Sequence, residues 1–144
     1  KKRGHGTVEH TADMGVKGWG PDIESAFEEA AAAMFGLMAD TEEGDVEFTI
    51  QVSCEAESVE ELLVEFLNSL LTGLDLEEAL GISVDLSPLQ YREGVYYLAA
   101  VAHCVSVSSA GGKMRSEVKA ATSYGAGVES SEDGIWEAVC VVDM

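Results

Sequence analysis

The residues best suited to chemistry gather at the two ends of the sequence. His10-Thr11-Ala12-Asp13 places an imidazole, a hydroxyl and a carboxylate within four positions. Val141-Val142-Asp143-Met144 supplies a second carboxylate, and the terminal carboxylate on Met144 a third. If the first and last strands lie side by side, Asp13, Asp143 and the terminus meet. Three carboxylates in one place repel unless a cation sits between them. Ligation by oxygen alone favours a hard ion, Ca2+, Mg2+ or Mn2+, over zinc. The spacing alone is weak evidence, because His-x-x-Asp turns more often use their Thr and Asp for capping.

Two other places invite a chemical reading. Lys119 stands between Val118 and Ala120-Ala121 in a strand-like segment. The plainer reading is a strand lysine whose stem covers apolar neighbours. His103-Cys104 suggests a Cys–His nucleophile pair, but adjacent strand residues point to opposite faces and cannot pair with each other. The three cysteines, Cys54, Cys104 and Cys140, form no Cys-x-x-Cys pair and lie in apolar runs. They read as buried thiols in a reducing compartment.

Charge narrows the partners. The chain has 144 residues, with 8 Lys plus Arg against 27 Asp plus Glu, a formal net charge of −19. Such a surface repels a phosphate backbone, so direct, strong nucleic-acid binding is not expected. It suits a basic protein partner, which it would steer from a distance, and divalent cations. No apolar run approaches the length of a membrane span, so no membrane association is expected. Lys1-Lys2-Arg3-Gly4 lacks the apolar stretch of a signal peptide.

These side chains must be positioned by a regular scaffold. With 47% hydrophobic residues, the sequence can fill one core, and it is expected to form a single domain over 1–144. Residues 5–10 and 16–19 read as short strands. Asp22 is a good N-cap for a helix whose apolar stripe runs from Ile23 to Met38. Val46–Glu55 alternates cleanly as a strand. Ser58-Val59-Glu60-Glu61 reads as a capping box, and a second stripe runs from Val59 to Leu74. Gly73 is expected to end or kink that helix, with a short helical turn over 74–80. Strands follow at 82–86, 95–107, 117–122, 127–129 and 135–142. The order argues for an α+β fold, two helices packed on mostly antiparallel sheet, with a second sheet open.

Together the motifs resemble the archease family, protein cofactors of the RtcB-type tRNA-splicing RNA ligase. Glu9-His10-Thr11-Ala12-Asp13, Gly18-Trp19-Gly20, Ala26-Phe27 and Ala33-Met34-Phe35-Gly36 fit its N-terminal signature. Leu62-Leu63-Val64-Glu65-Phe66-Leu67-Asn68 fits its central helix. Glu117-Val118-Lys119-Ala120-Ala121-Thr122 and Val142-Asp143-Met144 fit its closing signatures. The resemblance implies an archease-like α+β fold and an intracellular protein, cytoplasmic with the nucleus also open. It implies a divalent cation, Ca2+ before Mg2+ or Mn2+, held by Asp13, Asp143 and the main-chain oxygens of Met144. Lys119 would carry a functional or partner contact, with His10 a lesser contributor.

The implied activity is stimulation of ligase guanylylation and multiple turnover in tRNA splicing, without catalysis by the chain itself. The rival readings are an acidic interaction or chaperone module with no functional metal, and a metal-dependent phosphoester hydrolase. Two departures from the family pattern stand out. Thr122-Ser123-Tyr124-Gly125 replaces the common Thr-Tyr-His or Thr-Tyr-Ser, so no role of that Tyr or His carries over. The closing residue is Met144 rather than the usual Ile, which main-chain ligation tolerates.

Overall fold

The computed structural model describes residues 2–144 apart from Thr11, Ala12 and the side chain of His10. Strands β1 (Gly4–His10) and β2 (Asp13–Gly20) pair antiparallel. Asp22 then caps helix α1 (Ile23–Met38), its carboxylate accepting from the Ser25 N–H at 2.8 Å. The Ser25 hydroxyl turns back to donate to the Asp22 carbonyl at 3.0 Å. This is the N-terminus the sequence leads one to expect.

The alanines of α1 matter because they let the helix sit directly on strand β2. Ala26, Ala30, Ala31 and Ala33 are buried. A Cβ on Gly18 would collide with the main chain of Ala26 and Ala30. The last carbonyls of α1 find no partner inside the helix. A strap at 113–116 supplies them. Arg115 N–H donates to Met38 at 2.8 Å, Ser116 N–H to Leu37 at 3.1 Å, and the Arg115 guanidinium to Gly36 at 3.1 Å.

A single 3-10 turn at Glu43–Asp45 leads into β3 (Phe48–Ala56), so the strand begins two residues later than its alternation suggests. Helix α2 (Val59–Leu76) starts at Ser58, which accepts from the Glu61 N–H at 3.2 Å. Only half of the expected capping box forms, because the Glu61 carboxylate takes the Ser58 hydroxyl instead of its amide. Gly73 neither ends nor kinks the helix. A Cβ there would stand at ordinary contact distance from Ile50 and Val52, so the position lies on the face of α2 that packs on β3.

Of the helical turn expected over 74–80, only 74–76 is helical, as the end of α2. Glu78 takes a positive φ of 49°, which turns the chain out of the helix, and Ala79 opens β4 (Ala79–Leu86). β5 (Gln90–Arg92) and β6 (Val95–Ser106) form a tight hairpin through Glu93 and Gly94, both at positive φ. Val107 leaves the expected strand to begin a four-residue helix, α3 (Val107–Ala110), capped by Ser106. The segments expected at 117–122 and 127–129 are one strand, β7 (Ala120–Ser130), interrupted by a register shift between Thr122 and Gly127. β8 (Trp136–Asp143) follows.

The strands form two sheets, ordered β1-β2-β8-β7 and β3-β6-β4 with β5 on the end of β6. Every pairing is antiparallel. The α+β expectation holds, with α3 added to the two long helices. Each long helix touches both sheets, and Phe27 stacks on Phe66 between them at 6.0 Å. One apolar cluster joins these layers, with Phe27, Phe66, Met34, Leu62 and Leu63 fully buried.

Gly18→Ala should lower stability by about 3 kcal/mol, the cost of forcing volume into a packed contact with main chain. Gly6→Ala, where a Cβ meets nothing within 4 Å, should leave stability unchanged or slightly raised. Urea midpoints of the two variants test this; equal midpoints would mean that α1 does not need its close seat on β2.

Candidate functional site

The register of the first sheet decides what meets at its end. β2 and β8 pair with Asp13 directly opposite Asp143. β1 sets His10 opposite Asp13, and β7 sets Ala120 opposite Asp143. His10, Asp13, Asp143 and Ala120 therefore occupy one rung across all four strands. The next rung, with Met14, Val142 and Ala121, faces the helices: Val142 is 0% exposed and Ala121 6%. By alternation, Asp13 and Asp143 share the opposite face.

Directly opposed residues on one face hold their Cβ atoms about 5 Å apart, and like charges there repel. Asp143 is exposed and Asp13 half-buried, so water screens part of that repulsion. Met144 follows, its side chain packed against the core. That packing places its main chain beside Asp143. Among the described residues, no three His, Cys, Asp or Glu side chains converge to hold a metal. Any oxygen cage here would be two carboxylates completed by main-chain oxygen. The side chain of His10 lies outside the described residues.

Lys119 is not inside a strand. It immediately precedes β7, and its N–H donates to the Asp143 carbonyl at 2.8 Å. Its side chain is exposed, with no ion pair among the described residues. Lys119 borders a hollow of about 450 Å³ on the helix side of the sheet, which it shares with Asn68, Thr72, Asp75 and Glu117.

Asn68 is the residue that sequence reasoning missed. Its amide nitrogen donates to the Ala121 carbonyl at 3.0 Å, and its amide oxygen accepts from the Ala121 N–H at 2.8 Å. One side chain of α2 thus satisfies both main-chain groups of a residue in β7 and fixes the strand beside the Asp143 rung. A polar residue interrupting the Leu67–Leu70 run was the available signal.

The remaining sequence candidates are placed apart from this rung. His103 pairs with Asp85 at 2.8 Å on the second sheet, while Cys104 faces the core and is 0% exposed. Burial pushes the Cys104 thiol up to about 11. Burial does the same for Cys140, also to about 11, and for Cys54, where the nearby Glu65 charge adds to it. None of the three has the lowered pKa of a nucleophile. In the acidic run 40–45, Asp45 pairs with Lys113 at 2.8 Å, which lowers the carboxyl and raises the ammonium.

The fold and this rung define a class: an α+β protein with two antiparallel sheets around two long helices, and a carboxylate pair where its first hairpin meets its last strand. The model of the archease protein family matches residues 5–144. Protein archease of Pyrococcus furiosus is 32% identical over 136 residues, 94% of this chain and 95% of that protein. Protein archease of Thermococcus gammatolerans is 35% identical over the same share of each. The solution structure of Methanobacterium thermoautotrophicum protein 1598 superposes with a TM-score of 0.80 at 30% identity, covering 98% of this chain and 99% of that one. The chain belongs to the archease family.

Asn68→Ala should cost about 2 kcal/mol, since two main-chain groups of Ala121 lose their partners. Amide exchange at Ala121 and Thr122 should accelerate while exchange in β3 stays slow. Unchanged protection at Ala121 would mean that Asn68 does not hold β7.

At pH 8 a thiol with a pKa of about 11 is ionised to about one part in a thousand. Native Cys104 and Cys140 should therefore react with a disulfide reagent only on the timescale of unfolding, whereas all three thiols should react promptly in denaturant. Rapid native labelling of either would contradict their burial.

Proposed function

We propose that this chain acts as a protein cofactor of an RtcB-type RNA ligase, stimulating the ligase's guanylylation and multiple turnover in tRNA splicing, without being an enzyme itself. In this reading residues 1–144 work as one archease-like unit, inside the cell, in the cytoplasm with the nucleus also open. Family membership supports a role exercised on another protein. The net charge of −19 supports a basic protein partner and disfavours direct, strong nucleic-acid binding. The observation that carries the reading is the single rung that opposes Asp13 to Asp143.

A divalent cation belongs to the proposal. Asp13, Asp143 and the main-chain oxygen of Met144 would hold it. The fit rests on donor chemistry: these three donors are all hard oxygens. This set suits Ca2+ first, with Mg2+ or Mn2+ as alternatives. Once bound, such an ion orients phosphate oxygens and offsets charge developing on them. The chain's own residues do the rest. Asp13 and Asp143 keep two negative charges at a fixed separation. Lys119, tied by its amide to the Asp143 carbonyl, puts a positive charge on the helix side of the same sheet end for a partner contact, and His10 stands at the far end of the rung. Asn68 keeps β7, and Lys119 with it, in place.

The test has two arms. Wild-type protein should raise multiple-turnover RNA ligation by the cognate RtcB-type ligase at least tenfold, and Asp13→Ala and Asp143→Ala should abolish that gain while staying folded. Without ligase, Ca2+ should raise the melting temperature of wild type but not of Asp13→Asn. In chelator the same variant should melt higher than wild type, because an opposed pair of like charges is gone. Stimulation that survives both alanine variants would leave an interaction module with no functional metal, and no stimulation at all would remove the ligase from the reading.

A further inference from the structure

The face that carries Asp13 and Asp143 holds a second feature on the rungs behind them. Val8, Gly15, Val141 and Thr122 form the next rung on that face, and Gly6, Lys17, Val139 and Gly127 the one after. Gly15 opposes Val141 and Gly127 opposes Val139, so each valine lacks a side chain on one flank, and Gly125 leaves the bulge side bare. What remains is a trough of about 190 Å³ floored by those valines. Its two sides are unusual for a chain this acidic. Val8 is 52% exposed on one side. Tyr124 is 83% exposed on the other, on the bulge that interrupts β7, where Gly125 takes a φ of 76°. Both helices pack on the opposite face of this sheet, against Gly18 and Ala121, so neither covers the trough.

The trough lies between two acidic ends. Asp13 and Asp143 form one rung. At the other end Glu137 opposes Glu129, six residues from Asp143, or about 20 Å along the strand. Lys17 reaches Glu137 only at 3.7 Å, with both side chains substantially exposed, so it offsets that pair weakly. An apolar hollow flanked by carboxylates, in a chain of net charge −19, fits a segment with the reverse arrangement. That segment carries one large apolar side chain flanked by Lys or Arg. A second copy of this chain does not meet the description, because its own charge repels.

We propose that this face is the docking surface for the partner protein. The partner inserts an apolar side chain between Val8 and Tyr124, over Val139 and Val141, and sets basic residues against Glu129 and Glu137. This rests on the ligase reading for the identity of the partner. Its own content is where the partner is gripped. Buried apolar anchors supply affinity and flanking charges supply rate and orientation, so the two ends of the face have separable roles. Docking here would bring the partner along the strands to the Asp13–Asp143 rung.

The experiment titrates purified RtcB-type ligase with wild type, Val8→Asp, Tyr124→Ser and Asp13→Ala, reading both binding by calorimetry and ligation turnover. Val8 and Tyr124 are exposed, so both variants should fold; far-ultraviolet dichroism and melting confirm it. Val8→Asp and Tyr124→Ser should each weaken binding at least tenfold and raise the half-saturating concentration equally, with maximal turnover at saturation unchanged. Asp13→Ala should show the converse, near-normal binding with lost turnover. Wild-type affinity in wild type and both face variants overturns the docking surface, and so does the absence of any binding by wild type. If wild type binds but does not stimulate, the cofactor reading falls while loss of binding in the face variants still supports the surface.

Discussion

The structure depends on one pairing, that of the chain's first hairpin with its last strand. β8 lies between β2 and β7, so almost every residue of the sequence is enclosed between two strands that must find each other. A slip of one residue would turn every side chain to the other face. The core forbids that slip. Val16 opposes Cys140 and Gly18 opposes Ala138 on the helix side, all tightly buried or pressed against α1. The opposition of Asp13 to Asp143 is a consequence of this packing. Apolar burial sets the register, and the register in turn holds two like charges in a position they would not choose. Stability is lent from one face of the sheet to the other.

The outer strand of that sheet needs separate support. β7 is an edge, and its ladder to β8 is broken over the bulge at 123–126. Two devices hold its start. Asn68 reaches from α2 to both main-chain groups of Ala121, and Lys119 bonds the Asp143 carbonyl through its amide. Both act beside the carboxylate rung. Within the bulge the strand presents Tyr124 to solvent. The same edge is thus fixed where charge must be placed and relaxed where a surface is offered.

The local parts of this fold were legible in the sequence. The Asp22 cap, both long helical stripes and the alternation of 48–56 follow from periodicity and from side chains that bond within three residues. The meeting of Asp13 with Asp143 could be reached only conditionally, since periodicity does not say which strands are neighbours. What stayed hidden depends on distant partners. Gly73 reads as a helix breaker, yet α2 runs through it to Leu76 along the face that packs on β3. Val107 reads as strand until Ser106 caps the short helix α3. The strap at 113–116 has no periodic pattern, because its amides serve the end of a helix some 75 residues away. Asn68 was quoted as part of a helix signature, and only the fold gives it a task.

The placement of the few basic residues gives the acidic surface its structure. Arg3 bridges Glu28 and Glu29, Lys113 holds Asp45, Arg92 lies over the Tyr97 ring at 4.3 Å, and Arg115 caps α1. Each is used locally, to join elements that would otherwise repel or end with bare carbonyls. Lys119 is used differently. Among the described residues its ammonium, like that of Lys2, has no ion pair, although carboxylates outnumber bases more than threefold in the chain. It stands beside the one rung where two carboxylates are opposed. An exposed lysine in a field this negative would ordinarily find a partner at little cost. Its main chain is instead fastened to Asp143, which fixes where the side chain begins and leaves the charge to reach outward. The end of the first sheet therefore carries both signs of charge, the carboxylates on its open face and the ammonium on its helix side, which is what a surface needs in order to orient a charged partner rather than merely attract it.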